Sequence, residues 1–300
     1  MTGLPLRWTA TLTLYAVAAM ALASCGGGGG AASLVSPASG SISAARHSNP
    51  KSTPTPAPIA AATASPTPSS TPAPSGTVVW KAGDATYGHW ITANTYQCGN
   101  PVQSGTQFTM TLSQGSAPGG GYCGRNQANP TDSSGNLVRL NFGQQYTWTF
   151  HYIDGTPTDA APGMGYDQDA RSLIWQINPY ATGSTCTQFW IDNGGVIGGP
   201  EQWDFKSCGV SVWKGTYTPG EVDDWKIVVV PSQTSTITGH ITLYRNGVQV
   251  ASYAGENVSG STGNPWWNFG PYKWIWENSP NDSTMTTINA TFQNMLLTTP

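Results

Sequence analysis

Three segments, DWKIVVVPS (224–232), HITLYRNGVQVASY (240–253) and NPWWNFGPYKWIWE (264–277), decide the fold class of this chain. Asn246-Gly247 sits between two alternating β-branched and aromatic runs, the strongest short-range signal for a β-hairpin. The three segments therefore read as consecutive antiparallel strands. On the two-residue period of a strand, Asn268, Gly270, Tyr272, Trp274 and Trp276 share one face, while Phe269, Pro271, Lys273 and Ile275 share the other. A polar and aromatic face is expected to oppose a mostly apolar one.

The same reading extends upstream. No segment keeps a helical period beyond two turns, turn residues recur every 8 to 15 positions or so, and twelve of the thirteen Trp lie after residue 77. That pattern predicts an all-β domain, a two-sheet antiparallel sandwich of jelly-roll type, over 77–300. The expected strands are TQFTMTLS, LVRLNF, QYTWTFHY, RSLIWQIN, CTQFWID, VSVWKGTY, DWKIVVVP, ITLYRN, VQVASY, NFGPYKWIWE and TINATFQNMLL.

The first 76 residues have a different character. Residues 1–24 carry one cation, Arg7, and an apolar stretch from Ala10 to Ala23, as a secretory signal peptide does. Leu22-Ala23-Ser24-Cys25 resembles the bacterial lipobox, which implies lipidation of Cys25 and anchorage in the bacterial cell envelope. Residues 25–76 are Gly-, Ser-, Thr- and Pro-rich, with too few large apolar side chains to offset their ordering entropy. They are expected to form a disordered tether, with a reach on the order of 100 Å.

Three of the twelve cations (Arg7, Arg46, Lys51) precede residue 77 and none of the fifteen acids does, so the domain has a net charge of −6. With no basic run, nucleic acid is not an expected partner. Beyond Cys25 there are four cysteines, and an even number in an exported domain favours disulfides over metal. Three pairings are possible. Cys98–Cys123 with Cys186–Cys208 is preferred because each closes a short loop, a constraint of about 3 kcal/mol.

In RSLIWQIN the alternation puts Leu173, Trp175 and Ile177 on one face and Ser172, Ile174, Gln176 and Asn178 on the other. In GYCGRNQANP, Arg125 and Gln127 share a face. With Tyr272, these residues resemble the concanavalin-like jelly-roll polysaccharide lyases, the group of the alginate, glucuronan and heparin lyases. There an R-x-E strand, a Q-[IV]-H strand and a Y-F-K-x-G-x-Y strand line a cleft. Arg125 matches the Arg, Gln176 the Gln and Tyr272 the last Tyr. Gln127 stands where Glu is usual, Asn178 where His is usual, and Pro271 precedes the Tyr.

The resemblance implies β-elimination of a uronate-containing polysaccharide. Removal of the C5 proton and expulsion of the C4 oxygen load charge onto the sugar carboxylate, which donors must hold. Gln176, Asn178 and Arg125 are the expected donors, and Tyr272 does the proton work, with His151 on the Thr147-Thr149-His151 face as an alternative base. His89 and His240 are weaker candidates. Trp274, Trp276, Lys273 and Gln127 are expected to contact substrate, since sugar C–H faces pack on aromatic rings and hydroxyls bond to amides.

Each feature also has a structural reading. Tyr272, Trp274 and Trp276 suit a core, Gln176 and Asn178 a solvated sheet, Arg125 a carboxylate partner, and His151 a structural role. A non-catalytic carbohydrate-binding lipoprotein of the same fold is the alternative function. Glu221-Val-Asp223-Asp224 falls short of the E-x-D-x-E of jelly-roll glycoside hydrolases and reads as a turn entering a strand. No cofactor or metal is expected. Asp167-Gln168-Asp169 is the only suggestion of Ca²⁺, and further ligands at regular spacing are absent. The expected state is a monomer.

Overall fold

The computed structural model describes residues 75–92, 97–117, 121–155, 172–180, 185–192, 201–233, 238–273, 276 and 286–300. The signal peptide, Cys25, most of the tether, Asp167-Gln168-Asp169 and Trp274 lie outside the described residues.

Two antiparallel sheets form a sandwich. The first runs β13 (Val248–Ala254), β12 (His240–Arg245), β11 (Val222–Val230), β6 (Tyr146–Asp154), β15 (Thr287–Thr299), β4 (Gln107–Ser113) and β3 (Val102–Ser104), with β1 (Thr77–Lys81) also paired to β15. The second runs β10 (Val210–Thr216), β9 (Gln202–Ser207), β8 (Thr187–Asp192), β7 (Ser172–Asn178), β14 (Trp266–Tyr272), β5 (Ala128–Pro130) and β2 (Trp90–Thr92). In the second sheet β7 to β10 lie side by side in chain order, whereas β14 enters between β7 and β5, far from both in sequence.

Period-2 sequence builds each sheet. β6 turns Tyr146, Trp148, Phe150 and Tyr152 inward, and β11 turns Trp225, Ile227 and Val229 inward, each alternating with more exposed residues. The two inner faces meet through aromatic rings set edge to face. Trp148 packs on Trp175 at 5.2 Å, Phe108 on Phe269 at 5.1 Å and Phe189 on Trp225 at 4.6 Å. Each pair joins strands of opposite sheets, with about 0.5–1.5 kcal/mol beyond the area it buries. The expected hairpin is present. Asn246 (φ 51°) and Gly247 (φ 80°) form its two-residue turn between Arg245 and Val248. Both disulfides form as expected, Cys98–Cys123 and Cys186–Cys208.

Three strand expectations change. β14 does not continue the β11–β12–β13 run but crosses to the second sheet, between β7 and β5. It also ends at Tyr272, so the alternation expected through Trp276 stops there. Leu137–Phe142 makes only single bridges, Leu137 to Thr131 and Arg139 to Trp266, because the adjacent Asp132–Asn136 turn and the short β5 leave no long partner strand. β9, not expected from the sequence, fills the place between β8 and β10.

Candidate active site

Two bulges shape the part of the second sheet around β7 and β14. β7 carries one residue more than β8 between Leu173 and Trp175, and β14 one more than β7 between Phe269 and Tyr272. At the second, Gly270 has φ +115°, and a Cβ there would strike the Asn126 carbonyl oxygen and the Met110 sulfur. Only glycine fits. The first bulge corrects the expected face assignment of β7. Ile174 joins the main core, whereas Leu173 lies outside it, in register with Tyr272 on one side and Trp190 on the other.

Cross-strand partners share a face, so the register defines rows of side chains. One row runs Asn268, Gln176, Gln188, Lys206 and Ser211 across β14, β7, β8, β9 and β10. A second runs Tyr272, Leu173, Trp190, Asp204 and Lys214 across the same strands. A third begins with Trp266 and Asn178. The first two rows are two residues apart on β8, about 7 Å, but four apart on β14, at most about 13 Å. They fan open toward Tyr272.

The structure thus brings four expected residues to one face. Tyr272 is half-buried at the strand end, bridged to Arg125, whose guanidinium carbon lies 4.2 Å from the centre of its ring. Gln176 is 4 % exposed and Asn178 9 %, two residues apart on β7. Asn178 Oδ1 accepts from Thr185 Oγ1 at 3.4 Å, while its Nδ2 has no protein partner among the described residues. Asn268, opposite Gln176, donates through Nδ2 to Gln127 Oε1 at 3.3 Å, and its Oδ1 likewise has no protein partner. A buried donor and a buried acceptor left open beside Gln176 are costly in a folded protein, and a bound ligand or water would satisfy them.

Four other expected site residues lie elsewhere. Gln127 is completely buried and binds Asn268 and the Gly270 carbonyl, so it braces the bulge and cannot touch substrate. Trp276 is completely buried in a second small core with Leu112, Ile288 and the Cys98–Cys123 bridge. Lys273 is buried too, its ammonium 5.8 Å from the Trp276 ring centre and its backbone N–H donating to Gly124. The chain turns inward after the Gly270-Pro271 bulge, and the substrate-contact role expected for Lys273 and Trp276 goes with it. His151 lies on the outer face of the first sheet, the far side of the sandwich, where Nδ1 meets Asp224 Oδ1 at 2.8 Å. His240 is on that sheet as well, against Thr242 Oγ1 at 2.9 Å. The backbone carbonyl of His89 accepts from Trp80 Nε1.

The Glu221-Val-Asp223-Asp224 segment, read as a turn entering a strand, holds structural contacts at the start of β11. Glu221 Oε2 and Asp223 Oδ2 each lie 2.8 Å from Arg245 Nη2, and Trp203 Nε1 donates to Glu221. Burial pushes the Glu221 carboxyl above its ordinary range.

Sequence reasoning missed the β8–β9 half of the face. Gln188, Trp190 and Asp192 alternate there, and Lys206 Nζ lies 2.9 Å from Asp192 and 3.3 Å from Asp204, 5.6 Å from the Trp190 ring centre. The alternation Q-x-W-x-D in CTQFWID was a readable signal for a polar, aromatic face on β8.

No protein-family model matches the chain, and no curated protein matches it. Solved structures do. Among them are alginate and glucuronan lyases. The endo-β-1,4-glucuronan lyase of the fungus Trichoderma reesei is 12 % identical, with 74 % of this chain and 91 % of that one aligned and a TM-score of 0.46. A marine alginate lyase of polysaccharide lyase family 7 from Zobellia galactanivorans is 15 % identical over 70 % and 85 % of the two chains, at a TM-score of 0.47. An alginate lyase of Pseudomonas aeruginosa is 13 % identical over 65 % and 82 %, at 0.41.

Proposed function

We propose that the protein is a polysaccharide lyase that cleaves a uronate-containing glycan by β-elimination on the outer face of the second sheet. The observation that carries this reading is that Tyr272, held against Arg125, shares one sheet face with the amides of Gln176, Asn178 and Asn268. Elimination at a uronate needs one group to take the C5 proton and donors to hold the charge that flows onto the carboxylate. The open Nδ2 of Asn178 supplies a donor, and Gln176 a second one beside it. One such donor is worth about 3–4 kcal/mol in comparable oxyanion sites. The Tyr272 phenolate takes the C5 proton and, for a syn elimination, returns it as the neutral hydroxyl to the C4 oxygen, which leaves as the C4–O bond breaks and the C4=C5 double bond forms. The Arg125 cation against the ring offsets the negative charge that the phenolic oxygen carries before it takes the proton and again after it gives it up.

A second reading has a specific observation behind it. On this face β7 and β14 carry no imidazole, since Asn178 occupies the position of the expected His and His151 is on the other sheet. That arrangement suits a protein that binds the glycan without breaking it. Incubating the purified domain with a panel of uronate polymers, while following ultraviolet absorbance of the unsaturated product, separates the two. Absorbance growth with at least one polymer supports the lyase, whereas saturable binding with no growth on any polymer overturns it and favours the binding protein.

The location belongs to the same proposal. Lipidation at Cys25 and the 25–76 tether hold the domain as a monomer away from a bacterial envelope membrane, in reach of polymer outside it.

A further inference from the structure

The face described above has a second arginine laid against a second tyrosine. Arg139 bridges Trp266 at the start of β14, as Arg125 bridges Tyr272 at its end. Trp266 is opposite Asn178, and Leu140 beside Arg139 points into the core, so Arg139 is on the outer face with the amides. Its guanidinium carbon lies 4.7 Å from the centre of the Tyr180 ring, and Nη1 donates to the Asn264 carbonyl at 3.4 Å.

Tyr180 is a built support. It is 46 % exposed, yet its backbone N–H donates to Ser261 Oγ at 2.7 Å and its carbonyl accepts from the Thr262 N–H at 3.2 Å. Gly263 approaches the ring so closely that a Cβ there would lie 3.0 Å from Cδ1. These contacts fix the ring that carries the guanidinium. Unlike Arg245, which is clamped by Glu221 and Asp223, Arg139 has no carboxylate partner among the described residues. A fixed, unneutralised guanidinium fork is suited to bidentate capture of a carboxylate.

We propose that Arg139, held by Tyr180, binds the carboxylate of a second uronate several sugars from the bond that is cleaved. This rests on the lyase reading of the same face and adds a distal specificity position to it. From Trp266 to Tyr272 is six residues of strand, at most about 20 Å, so Arg125 and Arg139 mark two ends of a stretch of the sheet face several sugar rings long. The inference makes two demands on the substrate. It is an acidic polymer rather than one with an isolated uronate, and affinity grows with chain length until Arg139 is reached.

The test is calorimetric binding of uronate oligosaccharides of increasing length to the full mature chain and to Arg139→Gln and Arg139→Lys. To prevent turnover, all three carry Tyr272→Phe. The expected result is a step of about tenfold in affinity at one length, absent in Arg139→Gln, partly kept in Arg139→Lys, and absent when the oligosaccharide carboxylates are reduced to alcohols. Equal melting temperatures of the three proteins make the loss a loss of contact. If the Arg139 protein and Arg139→Gln bind every length alike, the distal position is refuted while the lyase reading stands. If no uronate binds any of them, the functional reading itself fails.

Discussion

Replacing Gly270 with alanine is expected to damage the site and the fold together. At φ +115° an L-residue is strained by about 1–3 kcal/mol. The added Cβ would also meet the Asn126 carbonyl oxygen and lie 3.0 Å from Gln127 Cα, and neither backbone atom can swing away as the Met110 side chain can. Relief requires β14 to move from the 125–127 segment, which loosens the Asn126 N–H to Pro271 carbonyl bond (2.9 Å) and the Gln127 Nε2 to Gly270 bond (3.3 Å). At about 1 kcal/mol for each bond, the total is about 3–5 kcal/mol, or a fall of roughly 10 °C in melting temperature for a domain of this size. Denaturant unfolding followed by tryptophan fluorescence measures the loss, and glycan binding measured under native conditions should weaken along with it, because Tyr272 and Arg125 ride on the displaced segments. A loss under 0.5 kcal/mol would show that the bulge does not hold Tyr272 in place.

Trp276→Ala should act as a core mutation, costing about 3–5 kcal/mol of stability, and on the remaining folded protein glycan affinity should match that of the parent; loss of affinity without loss of stability would return the ring to the sugar-binding face. Burial, and secondarily the Asp154 charge, raise the Tyr152 and Tyr217 hydroxyls above their ordinary value of 10.0. Raised folded values mean stability that is intact below the unfolded value and declines as pH climbs past it, so tyrosinate absorbance should show these two ionising only with alkaline unfolding, and reversible early titration of every tyrosine would contradict the burial. Cys25→Ser should release a soluble or unprocessed protein, checked by membrane fractionation and the N-terminal acyl mass; a wild-type protein that is soluble and unacylated would refute the anchor.

Much of the fold could be read from side-chain alternation, because half-buried strands such as β6 and β11 carry their inward aromatics at strict spacing two. The Asn246-Gly247 turn and the two disulfides were legible for equally local reasons. Which sheet a strand joins is not local. β14 follows the β12–β13 hairpin in sequence, yet its Trp267 and Phe269 complete the aromatic layer beside Trp175 in the opposite sheet. The same ignorance misplaced His151, whose strand face was read correctly but belongs to the other side of the sandwich. Gln176 and Asn178 were read onto one strand face because their strand alternates there; Ile174 and Leu173 were exchanged because a bulge breaks the count. Lys273 and Trp276 were misread because a period was carried across a glycine-proline bulge that ends it. β2, β3 and β5, three residues each, hold too few positions to show any period.

The central claim is that the Tyr272 hydroxyl performs the proton transfer on this face. The most direct measurement is the rate of unsaturated product formation by Tyr272→Phe beside the wild type, on whichever uronate polymer the wild type cleaves, with binding measured on both. A fall of about 100-fold or more in turnover, with glycan affinity and melting temperature kept, is the predicted result. An unchanged rate would contradict it.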